Sequence, residues 1–323
     1  MNSKRLLICS VLLNSLAVVS FTVALVLPDS VPKKIGIMLT VLFIVFLISG
    51  MVMLIVYFGK RNNEKMKNVI AAPPDRRDFE EWLKKFEPFT RAGAKLVETS
   101  ERTFCKFGGL PLVPENFVWP LYGDRAIPFL LQIDFSEINA DGRLNSFPKQ
   151  GLLYLFVDSD EINMPSFEPG EEEYAQGRAF RILFFEKADN LAVAEKPNSL
   201  YTIYKEFCVS ADIIKTYPDV DECKEAFEIY CDRPIGGMDD EYDDMQFENS
   251  DKSMVGGWAT YIQGSGFTDN ADSSEWILLM QIASVADDEK FMWGDNGTLY
   301  FYIRKGDLLD YRFDNIKLDM QCY

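Results

Sequence analysis

Histidine is absent from the 323 residues. That excludes Ser-His-Asp and Cys-His nucleophile activation, histidine-containing zinc sites and imidazole proton shuttling. Only carboxylate, lysine, tyrosine or cysteine chemistry remains. Cysteine is sparse too: Cys9, Cys105, Cys208, Cys223, Cys231 and Cys322 form no CxxC pair, so no four-cysteine zinc site or thioredoxin-type motif is encoded. Scattered thiols fit a reducing compartment. Positive charge is scarce as well, with 33 Lys and Arg against 50 Asp and Glu and a formal net charge of -17. Residues 1 to 67 carry a net +6, which leaves -23 for residues 68 to 323. A surface that acidic repels phosphate backbones and anionic headgroups, which argues against nucleic-acid binding and favours a basic protein partner.

Apolar residues, by contrast, are plentiful at 48%, with 14% aromatic, enough for a substantial core. Two uncharged runs, Leu6 to Leu27 and Ile35 to Phe58, each exceed the ~20 residues that cross a bilayer as a helix. Pro28 and Pro32 break the chain between them, so the runs predict an antiparallel transmembrane hairpin over residues 1–59. Lys4, Arg5, Lys60, Arg61, Lys65 and Lys67 outnumber Lys33 and Lys34 in the loop, placing both termini and the main domain in the cytoplasm of a multi-pass cell-membrane protein. The competing reading, a cleaved signal peptide, needs a shorter apolar region and a small-residue cleavage site. A charged linker at 60–78 follows, and Phe79, Trp82, Leu83 and Phe86 mark one apolar face of a helix expected to dock on the domain at 79–323.

Within that domain the sequence repeats itself. Gly108-Gly109-Leu110-Pro111 recurs as Gly256-Gly257-Trp258-Ala259, Phe129-Leu130-Leu131-Gln132-Ile133 as Leu278-Leu279-Met280-Gln281-Ile282, and Gly151-Leu152-Leu153-Tyr154 as Gly297-Thr298-Leu299-Tyr300. The order and spacing of the blocks agree, so repeats at about 105–158 and 254–304 are expected. Near-continuous apolar runs bounded by Gly, Pro and Asp read as strands covered on both faces. The expected fold class is therefore α+β: a pseudo-two-fold duplicated, largely antiparallel sheet domain following two N-terminal transmembrane helices. Between the repeats, helices are expected around Ser210 to Tyr217 and Val220 to Tyr230, with acidic loops beside them.

The same blocks, with Val118-Trp119-Pro120, Pro128 before Phe129, and Trp293-Gly294-Asp295-Asn296-Gly297, resemble the YwqG-like family of bacterial proteins, a domain of unknown function. The resemblance covers about 90 to 323 and implies a fold but no reaction. It does not extend to the apolar runs. Ala259, where the family often has proline, and the missing histidines are departures from it.

Candidate residues follow from this pattern. Gly108, Gly109, Gly256, Gly257, Trp258 and Trp293 belong to turns and packing motifs. Gln132 and Gln281, each inside an apolar strand, must find partners for their amides and read as structural clamps. Asp134, Asp295 and Glu275 are the carboxylates nearest the motifs and the candidates for catalysis. Asp239, Asp240, Asp243 and Asp244 form an acidic tract read as an exposed partner-binding loop; without EF-hand spacing, it implies no metal, and no cofactor motif is present. Two functions are weighed: a membrane-anchored, non-catalytic interaction module, either adaptor or neutralising protein, and a carboxylate-dependent hydrolase or transferase with a site between the halves. The first is favoured, because nothing resembles an activated nucleophile.

Overall fold

In the computed structural model of the protein, the described residues are 35, 38, 40–52, 75–163, 177–264, 275–285 and 290–323. The strands, in chain order, are β1 Arg91–Thr99, β2 Lys106–Phe107, β3 Leu112–Val113, β4 Leu121–Tyr122, β5 Arg125–Ala126, β6 Phe129–Asp134 and β7 Leu152–Val157. They continue as β8 Phe180–Phe185, β9 Ala192–Val193, β10 Phe207–Thr216, β11 Met254–Gly256, β12 Trp276–Ala283, β13 Thr298–Arg304 and β14 Ile316–Gln321.

Ten of these strands form one antiparallel sheet in the order β14-β13-β12-β11-β1-β10-β2-β6-β7-β8, curled into a half-barrel. The expected fold class is corrected by this finding. β1 and β10 pair over nine positions, from Arg91 with Thr216 to Thr99 with Cys208, and each continues into one set of flanking strands. Backbone hydrogen bonding therefore runs unbroken from edge to edge, and the repeated blocks become two limbs of a single sheet. The helix expected around Ser210 to Tyr217 is a second correction, since those residues lie largely in β10. β-branched residues such as Val209, Ile213, Ile214 and Thr216 suit a pleated surface better than a helix.

Burial on both faces explains the apolar strands. In β7, Leu153, Leu155 and Val157 face the main core, while Leu152, Tyr154 and Phe156 face a second cluster with Ile127 and Phe129. β13 divides in the same way: Leu299, Phe301 and Ile303 join the main core, and Tyr300 and Tyr302 join a third cluster with Met254, Trp276 and Leu278. The curl brings the limbs together inside, where Phe180 of β8 meets Phe301 of β13 at 5.2 Å and Phe184 meets Phe313 at 5.1 Å.

The helix Arg76–Leu83, capped by the Asp75 carboxylate, runs into a 3-10 turn over Lys84–Phe89. Phe79, Trp82 and Phe86 are buried, and Phe86 stacks on Tyr242 at 4.7 Å. Of the expected membrane hairpin, the first helix lies outside the described residues and the second only partly within them. Residues 40–52 are helical and expose Val41, Ile44, Val45, Ile48, Met51 and Val52. Among the described residues no helix is long and apolar enough to cross a membrane, which is the other part of the fold-class correction.

Candidate functional site

The acidic tract is helical, a further correction to the loop expected there. Met238–Phe247 forms a ten-residue helix, held by Met238 and Tyr242, one turn apart and both buried. The Tyr242 hydroxyl donates to the Pro218 carbonyl at 2.7 Å, and Gln246 donates to the carbonyls of Tyr217 and Pro218. With that face fixed, the helical period turns Asp240, Asp243 and Asp244 outward, and all three are exposed. Acidic residues in the first turn, Asp239 among them, also complement the helix dipole.

The four candidate binding carboxylates differ in their surroundings. Asp239 is half-buried and paired with Arg233 at 2.7 Å. Asp243 accepts the Tyr230 hydroxyl at 2.8 Å. Partial burial nonetheless raises its pKa, and the like charges of Asp239, Asp240 and Asp244 add to that rise against the lowering effect of Tyr230. Asp240 and Asp244 have no ion-pair partner among the described residues. Just below, burial pushes the carboxyl of Asp219 up to about 6; the Asp221 backbone N–H opposes this, while Glu222, Asp221 and Asp243 reinforce it. This face holds more negative charge than its own cations neutralise.

Exposed aromatics flank it. Phe247, at the end of the acidic helix, is 51% exposed and meets the 53% exposed Tyr323 edge-on at 6.0 Å. The Tyr323 backbone N–H donates to the Asp295 carbonyl, which ties the chain end to the Trp293–Gly297 turn. The result is a rigid set of acceptors beside an apolar anchor. Such a surface attracts a cation and grips an apolar group. Among the described residues no group of three or more His, Cys, Asp or Glu is arranged to hold a metal ion.

The three candidate catalytic carboxylates are not brought together. Asp134 caps the short helix Phe135–Ile138, accepting from the Ser136 backbone N–H at 2.8 Å and its hydroxyl at 2.6 Å. It lines an open pocket of about 470 Å³ with Gln150, Glu186, Lys187 and Asp189. Asp295, exposed in the tight turn before β13, and Glu275, exposed at the head of β12, both belong to the other limb. No hydrogen bond or ion pair joins any two of them among the described residues.

The motif residues prove architectural in their contacts. Gly108 and Gly109 have φ of 63° and 67°, and a Cβ on Gly108 would lie 2.2 Å from the Lys205 carbonyl oxygen. Gly256 and Gly257 share the left-handed conformation. Trp258 donates through its indole to the Phe89 carbonyl at 2.7 Å and lies beneath the Arg91 guanidinium, 3.3 Å from the ring centroid. Trp293 is fully buried against Phe291 at 5.4 Å. Gln132 and Gln281 are fully buried and hydrogen-bonded to backbone groups outside the ten-stranded sheet.

Sequence reasoning missed a hydroxyl chain next to the acidic face: Tyr302 donates to Tyr261 at 2.6 Å, and Tyr261 donates in turn to the Glu222 carboxylate. Burial raises the Tyr302 pKa well above its ordinary value, with the neighbouring Tyr261 and Glu222 adding to the rise. Nothing in the spacing of 222, 261 and 302 signals this contact, because three separate elements supply it.

Set against known proteins, residues 105–322 match the family model described as Domain of unknown function (DUF1963). No curated protein matches the chain.

Proposed function

The chain belongs to this family of unknown function, and from that premise we propose that it is a protein-interaction module, an adaptor or neutralising protein, whose acidic helix receives a basic partner. The observation that carries the reading is the crowding of Asp240, Asp243 and Asp244 on one exposed face beside the exposed Phe247–Tyr323 pair. Charge of one sign speeds encounter and rejects like-charged proteins, while affinity comes from a few desolvated anchors. The finer likeness to the YwqG-like proteins, drawn from the Gly-Gly, Gln-Ile and Trp-Gly-Asp-Asn-Gly blocks, is part of the proposal and implies a fold but no reaction. Location at the membrane, with the domain on the cytoplasmic side, is part of the proposal. Its support is the uncharged runs, their basic flanks and the exposed apolar side chains of helix 40–52.

The test compares the full-length chain with its Asp240→Asn, Asp243→Asn, Asp244→Asn triple variant, binding immobilised poly-lysine and a lysine–phenylalanine copolymer. At about 0.01 M salt, where the screening length is about 30 Å, the parent should associate several-fold faster than the variant. At about 1 M salt the two rates should converge. The copolymer should dissociate more slowly than poly-lysine, because it also engages Phe247. Equal association of parent and variant at both salt concentrations would remove the reading.

A further inference from the structure

Positive charge gathers at one place on the outer face of the sheet. Trp276 of β12 stands opposite Arg304 of β13, and Tyr302, two residues before Arg304, stands opposite Lys317 of β14. Alternate residues share a strand face, so Arg304 and Lys317 lie on the side where Trp276 and Tyr302 join the third apolar cluster. The Arg304 Cζ is 5.2 Å and the Lys317 Nζ 4.5 Å from the Trp276 ring centroid. Lys305, next in sequence to Arg304, is exposed. The indole attracts both cations through its π-system but neutralises neither charge.

Arg304 lacks the acceptor that its chemistry requires. Its Nε is buried and has no hydrogen-bond partner. Among the described residues Arg125, Arg178, Arg233 and Arg312 each hold a carboxylate at 2.7–3.1 Å, whereas Arg304 holds none. Glu275, beside Trp276 in sequence, is exposed, and Asp319, two residues beyond Lys317 on β14, accepts from the Gln321 amide at 2.8 Å. Neither forms an ion pair with the guanidinium. A buried donor left unpaired costs about 1–3 kcal/mol, and more when it is charged. Two cations drawn to one ring also repel each other. An anion bound against both removes the two penalties together.

We propose that Arg304 and Lys317 form a binding site for a single phosphate group, its oxygens accepting from the Arg304 guanidinium while Lys317 supplies the second positive charge. The guanidinium fork matches phosphate oxygens, and the ammonium adds a point charge. A dianion balances both cations, which a carboxylate does not. The charge of -23 beyond residue 68 repels polyanions, so the ligand class is a phosphate ion or small monoester and not a nucleic acid.

The full-length chain, in uncharged detergent micelles and labelled with 5-fluorotryptophan, gives five ¹⁹F resonances for its five tryptophans, with Trp276 assigned through Trp276→Phe. Inorganic phosphate should move the Trp276 resonance along a saturable curve in the roughly millimolar range. Chloride at the same ionic strength should leave it in place. Arg304→Gln should weaken binding about tenfold or more, and Lys317→Gln several-fold, while the buried Trp293 resonance reports an intact fold. If Arg304→Gln fails to fold, the exposed Lys317 carries the test. The Asp240, Asp243, Asp244 triple variant should respond like the parent, which separates this site from the acidic helix. Phosphatidic acid mixed into the micelles distinguishes the sources: a shift with inorganic phosphate assigns the site to soluble phosphates, and a shift with the lipid alone assigns it to a headgroup, either one upholding the site. A Trp276 resonance unmoved in both arms, an equal response to chloride, or undiminished binding in the folded variants would overturn the proposal.

Discussion

Gln132 and Tyr154 face each other across β6 and β7 and grip both backbone groups of one residue: the Gln132 amide oxygen accepts from the Leu112 N–H at 2.9 Å, and the Tyr154 hydroxyl donates to the Leu112 carbonyl at 2.7 Å. Gln281 and Tyr300 do the same to Thr260, at 3.1 and 2.8 Å. The amide nitrogens reach back to Phe104 on one limb and to Lys252 on the other, both at or below 2.9 Å. Each clamp ties a segment outside the ten-stranded sheet to its outer face and satisfies polar groups that burial would otherwise leave unpaired.

Breaking a clamp should therefore cost more than removing a surface hydrogen bond. Gln281→Leu leaves the Thr260 N–H and the Lys252 carbonyl without this partner, at about 1–3 kcal/mol for each group left unsatisfied. Tyr154→Phe removes one hydroxyl and should cost about 1 kcal/mol. Urea unfolding monitored by tryptophan fluorescence would rank them. A Gln281→Leu variant as stable as Tyr154→Phe would show that the amide is solvated after all.

Glycine is required at Gly108 by more than its backbone angle. A Cβ there would collide with the backbone carbonyl of Lys205, whereas Gly123, with a similar φ of 58°, has nothing within 4 Å. Gly123→Ala should cost on the order of 1 kcal/mol from the left-handed conformation alone. Gly108→Ala adds a backbone clash and should cost well beyond that or abolish folding. Comparing the midpoints of the two variants in one denaturant series checks the difference.

Asp219 makes stability depend on pH in an unusual direction for a carboxyl. Its folded-state pKa of about 6 lies above the ordinary 3.8, so the folded protein binds more protons than the unfolded chain between these values. The contribution is fully present below pH ~4 and is lost as pH rises through about 6. Asp219→Asn, which keeps an acceptor for the Asp221 N–H, should gain relative to the parent across that window, by up to about 3 kcal/mol above pH 7. Urea unfolding of both proteins at pH 4, 5, 6 and 7.5 tests the trend. A difference that stays constant with pH would assign the Asp219 proton elsewhere.

Phe86 tests whether the segment before the sheet is integral to it. The ring is fully buried against Trp82 and Tyr242. Phe86→Ala should cost about 3–5 kcal/mol, and proteolysis within 75–90 should accelerate with it. Wild-type resistance in that segment would mean that the helix Arg76–Leu83 stays docked without the ring.

Much of the sheet was legible because strand chemistry is local. Uninterrupted apolar runs ending in Gln-Ile identified β6 and β12, and β7 and β13 followed from Tyr154 and Tyr300 at matched positions in their runs. Phe79, Trp82 and Phe86, at helical spacing, signalled the docked helix. The glutamines announced themselves as amides in apolar strands. β1 and β10 were not legible, since their half-buried sequences repeat nothing, yet their nine-position pairing is what makes one curled sheet of ten strands. The acidic tract reads as a loop because helix propensity is weak for aspartate; the burial of Met238, and of Tyr242 against Trp82 and Phe86, overrides it, and the Tyr242 contacts are long-range.

The sequence by itself determined the absence of imidazole chemistry, the strong negative charge beyond residue 68, the repeated blocks and the need to satisfy Gln132 and Gln281. Tertiary structure alone decided which carboxylates stand together. It paired Asp239 with Arg233, left Asp240 and Asp244 facing outward, brought Glu222 to Tyr261 and kept Asp134, Asp295 and Glu275 apart. Composition sets how much charge a chain must carry. Where that charge is neutralised or left to act on a partner depends on which distant segments the sheet brings within hydrogen-bonding reach.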